Sequence, residues 1–523
     1  MRAKNSVKNI SMGIFTQVVI ALLGFLSRKV FLDSLGAQYL GINSLLDNVL
    51  SLLALVESGI GTGIVYSLYK PLAENDRPKI SALVNLYKKA YKVIAFIVFI
   101  LSFILYPFLG NLMKDSGHVP YLTAAYFIFV AKNMTYYLNA HKVSLINADQ
   151  KGYVLDRLNV IFQVLITITK IIVLILTKNY ILYLIIELII FILQNIVNGK
   201  IVNKRYPYLK EKLSYNLRKE EKESLIKNVK ALFLHNIGAY AVMGTDNLVI
   251  SAFVGVTTVG LYSNYSMIIG QLAVLVSPFL SGIGSSVGNL IVKENSENTY
   301  KVFKVSYLIN FWIYSVCVIF LYNLLEPFID WWLGKRYLLD SLTFVVLLIN
   351  FYIAGLRISI FTFKIKGGIF VEDKYMPLIE ATINLVASII LVKTIGLAGV
   401  FFGTTISTIL TVFWNNPRLV FKKIFKLPVW LYFKKYLFYA ILTLISGYFT
   451  TEICVYISSL NVESSLMLLI LKGLICIIIP SIIYAAIFYR SEEFKYIKSL
   501  FKIVIFGIRD KTRKNDDKIK NLG

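Results

Sequence analysis

The chain has 523 residues, of which 57% are hydrophobic and 16% charged, and a formal net charge of +26. Soluble domains carry roughly 45–50% apolar residues, and here the excess comes in blocks long enough to cross a bilayer, which excludes a soluble fold. The Lys and Arg residues lie between those blocks rather than on a basic soluble domain, so the charge does not indicate a nucleic-acid partner.

A helix needs roughly 20 apolar residues to cross about 30 Å of hydrocarbon. On that criterion the sequence predicts an all-α membrane protein of about fourteen spans. They fall at 9–32, 39–69, 91–112, 121–143, 156–177, 180–202, 229–253, 259–291, 305–325, 339–363, 376–394, 397–417, 436–456 and 465–488. Arg2, Lys4 and Lys8 precede the first block, and no small-residue cleavage site follows it, so it is expected to be a retained span rather than a signal peptide. The charged loop 203–228 divides the chain into an N-lobe, 1–202, and a C-lobe, 229–417. Residues 418–488 add a basic segment and two further spans, and 489–523 form a basic tail whose end, from Arg509, is expected to be disordered. The basic stretches 77–92 and 418–435 read either as inner-leaflet helices or as solvated loops.

An even number of spans puts both termini on one side. Away from that side the connections hold only Arg28, Lys29, Lys114, Lys178, Lys335, Arg336 and Lys393, whereas most other Lys and Arg residues lie in the alternate connections. The positive-inside rule therefore predicts cytoplasmic termini.

Residues 35–44, LGAQYLGINS, resemble residues 254–263, VGVTTVGLYS, with Gly36 matching Gly255 and Gly41 matching Gly260 at one offset. SGIGTGI at 58–64 resembles SGIGSSV at 281–287, and IGLAGVFFGT at 395–404 is a weaker third echo. Spans one and two thus repeat as spans seven and eight, both starting from the same side. Two six-helix lobes related by a parallel repeat, with substrate between them, are expected. The glycines also suit tight turns and close helix packing.

A charge at mid-membrane costs about 2.5–3.5 kcal/mol and normally faces water or a partner. The candidates are Arg28, Glu57, Lys132, Lys170, Glu187, Asp246, Arg357 and Lys472. Arg28, Lys132 and Arg357 are expected to line the cavity and contact an anionic phosphate, Arg in bidentate fashion and Lys as a point charge. Glu57 and Asp246 are cavity candidates and possible carriers of H+ or Na+ coupling. Glu187 could pair with Lys170 one hairpin away. Cys317, Cys454 and Cys476 lie in apolar runs without metal spacing, and His118, His141 and His235 have no Ser or Cys partner at a recognisable spacing. There is no phosphate-binding G-x-x-x-x-G-K-[ST] loop, so no metal, no other cofactor and no ATP hydrolysis is expected.

At its start, SRKVFLDSLGAQYLGINSLLDNVLSLLALVESGIGTGIVYSLYKPL, and at 357–408, RISIFTFKIKGGIFVEDKYMPLIEATINLVASIILVKTIGLAGVFFGTTIST, the chain resembles the Wzx-type polysaccharide repeat-unit flippases. These belong to the multidrug/oligosaccharidyl-lipid/polysaccharide exporter (MATE/MOP) superfamily. Matching positions include Arg28, Gly36, Gly41, Glu57, Gly59, Arg357, Glu380, Asn384, Gly396, Gly399, Gly403 and Thr404. The resemblance implies a bacterial cytoplasmic-membrane protein that moves an undecaprenyl-diphosphate-linked oligosaccharide from the inner to the outer leaflet, for capsule, exopolysaccharide or O-antigen. Glycosyltransferases and a polymerase would be partners. The alternatives are a peptidoglycan-precursor flippase, an ion-coupled drug exporter of the same superfamily, or a membrane enzyme such as a sugar polymerase or acyltransferase. An enzyme of that kind would be expected to show a long external loop or a positioned base.

Overall fold

The computed structural model describes residues 2–53, 57, 60–114, 120–211, 215, 219, 223, 244–369, 372–459 and 464–499. Among the described residues every regular element is helical, and the protein is an all-α, multi-pass membrane protein. His118, His235, the first part of the seventh predicted span, most of the 203–228 loop and the C-terminal tail lie outside the described residues.

Local chemistry sets many of the helix ends. Helix α1 (Arg2–Leu35) stops where Gly36 takes a φ of +86°, a conformation that disfavours a Cβ, and α2 (Ala37–Leu53) starts at once. Next come α3 (Ile60–Glu74) and α4 (Arg77–Leu105). In α4 the Asp76 carboxylate accepts from the Lys79 N–H, and Pro78 occupies the first turn, where its missing N–H costs nothing. The helices α5 (Leu122–Ala148), α6 (Tyr153–Thr177) and α7 (Tyr180–Arg205) follow, α7 being capped by the Asn179 side chain on the Leu182 N–H. After a helical stretch at 244–253 come α8 (Val256–Lys293), α9 (Ser296–Leu333), α10 (Ser341–Leu356) and α11 (Ile358–Lys366). The last are α12 (Met376–Ile395), α13 (Leu397–Leu410), α14 (Val412–Val420), α15 (Trp430–Ser459) and α16 (Ser465–Phe488).

Ten helical segments among the described residues are long and apolar enough to cross a membrane. They coincide with ten of the fourteen predicted spans; the other four are the first, second, fourth and seventh. The second predicted span, drawn as one helix over 39–69, is two shorter helices, α2 and α3. Helix α5 is long enough, but Lys132, Asn133, Asn139 and several tyrosines dilute its hydropathy. The first span lies within α1, and the seventh is described only from residue 244. The tenth predicted span corresponds to α10 and α11, which run on through Arg357, a residue of right-handed helical φ and ψ, as one segment over Ser341–Lys366.

Two compact units are present. One comprises 1–271, 335–344 and 374–411, and in it α1 packs on α6, α5 on α4 and α7, and α12 on α13. The repeated glycines meet in this unit. A Cβ on Gly41 would stand 1.9 Å from the Val256 carbonyl oxygen, and one on Gly260 would stand 2.0 Å from that of Ala37. Val256 and Ala37 are themselves equivalent in the repeat, so the contact between α2 and α8 is reciprocal. The third echo behaves alike within its hairpin: Gly396 takes a φ of +62°, and a Cβ on Gly399 would meet Leu391 backbone atoms at 2.3 Å.

The other unit comprises 272–334, 345–373 and 412–523, with α9 packed on α15 and α16. Its core is aromatic, with Phe311 stacked on Tyr439 at 4.1 Å and Tyr307 on Tyr432 at 5.2 Å. Such pairs add about 0.5–1.5 kcal/mol beyond area burial.

Candidate functional site

Helix α2 has its polarity reversed relative to a lipid-facing helix. Ile42, Leu45, Leu46, Val49 and Leu50 are buried in protein, whereas Asn43, Ser44, Asp47, Asn48 and Ser51 are open. Helical periodicity puts the second group on one stripe. A polar stripe exposed to hydrocarbon would be costly, so the open side of α2 faces water or polar groups and the apolar side is its anchorage. Asn48 and Ser51 satisfy themselves on their own helix, at 2.6 Å to the Ser44 carbonyl and 2.8 Å to that of Asn48. The Tyr180 hydroxyl donates to Asn43 Oδ1 at 2.6 Å.

Beside Asp47 lies a charged cluster built by three further helices. Lys132 of α5 and Lys170 of α6 both bond the Glu187 carboxylate of α7, one on each oxygen. Lys170 also sits 4.0 Å from the centroid of the Tyr183 ring and is only 13% exposed, against 33% for Lys132. Lys170 is thus the sequestered member, and Lys132 the more accessible one. Asp47 is within electrostatic reach of all three. Pairing of Glu187 with Lys170 follows from their hairpin. The sharing of Glu187 with Lys132, and the part played by Asp47, went unread in the sequence. The signal for Asp47 was the i, i+3/i+4 run of Ser44, Asp47, Asn48 and Ser51.

Lys132 is therefore not a lone cavity cation, because Glu187 already holds it. Arg28 of α1 donates to Ser263 Oγ at 2.9 Å and approaches Met267 Sδ at 3.4 Å, both on α8. Arg357 belongs to the second unit, between α10 and α11, near Tyr432 and Tyr436 of α15. Glu57 is hydrogen-bonded by Tyr91 of α4. Asp246 lies near Tyr262, and its Oδ1 is buried without a hydrogen-bond partner among the described residues. Of the positions shared with the flippase pattern, Asn384 donates to Thr404 Oγ1 at 3.0 Å, and Thr408 donates to Glu380 at 3.3 Å. Asn384 is fully buried, and its Oδ1 also lacks a partner among the described residues. Lys393, 5.6 Å from the Phe253 ring, ties residues 244–253 to the C-terminal end of α12. No group of three or more metal-ligating side chains occurs among the described residues.

Comparison with solved structures identifies the architecture. A structure titled lipid II flippase MurJ, in an inward closed conformation, superposes with a TM-score of 0.67 over 92% of this chain and 99% of its own, at 17% identity. The fold is MATE/MOP-like. A point mutant of the Vibrio cholerae MATE transporter VcmN matches at a TM-score of 0.55 over 81% of this chain and 97% of its own, at 14% identity. An inward-facing multidrug resistance MATE family transporter of the MOP superfamily matches at 0.53, over 76% and 94%, also at 14% identity. No family model and no curated protein matches the sequence.

Proposed function

We propose that this protein is a flippase that carries an undecaprenyl-diphosphate-linked oligosaccharide repeat unit from the inner to the outer leaflet for surface polysaccharide synthesis. The observation that carries the reading is the wet face of α2 beside the Lys132–Glu187–Lys170 cluster, a water-replacing surface with a reachable cation inside a membrane fold. A sugar–diphosphate head cannot enter hydrocarbon without losing hydrogen bonds to water, and such a surface returns them. Lys132 and Arg28 are the proposed diphosphate contacts of the first unit, and Arg357 is the proposed anion contact of the second. Asp246, a half-buried residue whose Oδ1 has no hydrogen-bond partner among the described residues, is the proposed site of H+ or Na+ coupling, and Glu57 is the second candidate. Moving one charge through 100 mV is worth about 2.3 kcal/mol. An inside-negative potential would therefore favour outward passage of the doubly charged head.

Deleting the gene tests this reading. The expected result is loss of surface polysaccharide, with lipid-linked repeat units held on the inner leaflet. Intact surface polysaccharide would refute it. A second reading, translocation of a peptidoglycan lipid precursor, is favoured by the likeness to the lipid II flippase over nearly the whole of both chains. Under it, deletion would instead leave peptidoglycan precursor on the inner leaflet.

A further inference from the structure

Asp47 has no assigned task. It is exposed on the polar stripe of α2, whereas the neighbouring acid, Glu187, is largely covered and has both its oxygens taken by ammonium groups. Among the described residues no side chain or backbone group donates to Asp47 or forms an ion pair with it. Three others of its stripe have partners within the protein: Asn43 accepts from Tyr180, and Asn48 and Ser51 donate to carbonyls of their own helix. Asp47 is thus the one acid of the cluster with its acceptor capacity unused, placed where water or substrate must supply donors.

An ionised carboxylate only accepts hydrogen bonds. A diphosphate also only accepts, and like charge would keep it away from Asp47. The group that completes Asp47 must therefore be a donor carried by the same ligand close to its phosphates. In a lipid-linked glycan the moiety in that position is the first sugar. Lys132 and Lys170 also lie within electrostatic reach of Asp47, which disfavours an added cation and favours neutral hydroxyl or amide donors.

Resting on the flippase reading above, we propose that Asp47 is the specificity-determining carboxylate of the site, accepting hydrogen bonds from the hydroxyl or acetamido N–H groups of the sugar attached to the diphosphate. Lys132, one helix away, faces the phosphates while Asp47 reads the sugar. A polar group built to receive such donors rejects ligands that lack them, because it is then left desolvated and unpaired.

The test uses the full chain in lipid nanodiscs and measures dissociation constants for undecaprenyl diphosphate with no sugar and for the same lipid bearing glucose, galactose, N-acetylglucosamine or glucosamine. The wild type is expected to prefer at least one neutral-sugar probe over the bare diphosphate by about 10- to 100-fold, the range for one or two hydrogen bonds to a charged group. In Asp47→Ala that ratio should fall toward one. Asp47→Asn, which retains one acceptor oxygen and the side-chain shape, should keep part of it. It also guards against a folding defect, read from the unfolding temperature of each variant. An unchanged ratio in Asp47→Ala, or a wild type with no preference for any neutral sugar, overturns the proposal alone. Loss confined to the glucosamine probe also overturns it, because the carboxylate would then be reading a cation. A wild type that binds neither bare nor sugar-bearing lipid overturns the flippase reading itself.

Discussion

Replacing Gly41 by Ala tests the reciprocal contact between α2 and α8 directly. The added methyl would sit 1.9 Å from the Val256 carbonyl oxygen, 1.5 Å inside the 3.4 Å at which ordinary contact begins. The obstacle is backbone, held in a helix, so no rotamer change relieves it. The two helices must separate, or Ala37–Leu53 must tilt, and the pairing of Gly260 with the Ala37 carbonyl is lost in the same movement. Overpacking of this kind costs about 1–3 kcal/mol, and the rigidity of both sides places this case at the upper end. At about 2–4 °C per kcal/mol the unfolding temperature of the purified protein should drop by roughly 5–10 °C. Gly270→Ala is the control, because nothing lies within 4 Å of its Cβ position on α8. Gly260→Ala should match Gly41→Ala, and the double variant should lose less than the sum, since one separation accommodates both methyls. A Gly41→Ala protein as stable as the Gly270→Ala control would refute the contact.

Glu187→Gln should destabilise the first unit by about 2–3 kcal/mol, less than the 3–5 of a fully buried pair because Lys132 is one-third exposed; thermal unfolding measures it, and adding Lys170→Met should recover part. Lys132→Ala, which removes the reachable cation, should slow flipping of a fluorescent undecaprenyl-diphosphate-linked sugar in proteoliposomes about tenfold. Cys454 and Cys476, with sulfurs 3.8 Å apart between α15 and α16, should form an intramolecular disulfide under a copper–phenanthroline oxidant, leaving one thiol, Cys317, to be alkylated; three thiols after oxidation would count against that packing. Beyond the last span, Glu493 is partly buried, which opposes its ionisation, but Lys435 and Lys304 outweigh this and hold its carboxyl below the usual range. Its stabilising contribution is therefore full above the ordinary glutamate pKa and disappears as pH falls through the lowered value, so Glu493→Gln should flatten unfolding temperature against pH in the acid limb.

Most spans were legible because hydropathy blocks of this length leave few alternatives. What escaped is where a span is interrupted. A window average over 39–69 reads one apolar block where two helices, Ala37–Leu53 and Ile60–Glu74, follow each other. The repeat was visible as matched glycines, and its physical content, that each glycine admits the other half's carbonyl, needed coordinates. At the site, the charged residues were recognised one at a time by depth, but depth does not say who holds whom. Lys132 and Glu187 are 55 positions apart, and only the packing of α5 on α7 joins them. Asp47 does not stand out by depth although its stripe obeys helical periodicity, because its signal is the phase of the Asn and Ser residues around it rather than an isolated charge.

The reversed polarity of α2 bears on how the chain is made. At 17 residues, with polar groups along one side, α2 is a poor candidate for partitioning into lipid as it leaves the ribosome. Its apolar side needs protein, not acyl chains, and Lys132, Lys170 and Glu187 are synthesised only later. During biogenesis α2 must wait, sheltered by the insertion machinery or at the interface, until α5 to α7 arrive. A mutation that weakens those later helices would then be met by the cell first as a failure of assembly and degradation of the nascent chain, before any defect in transport could be seen.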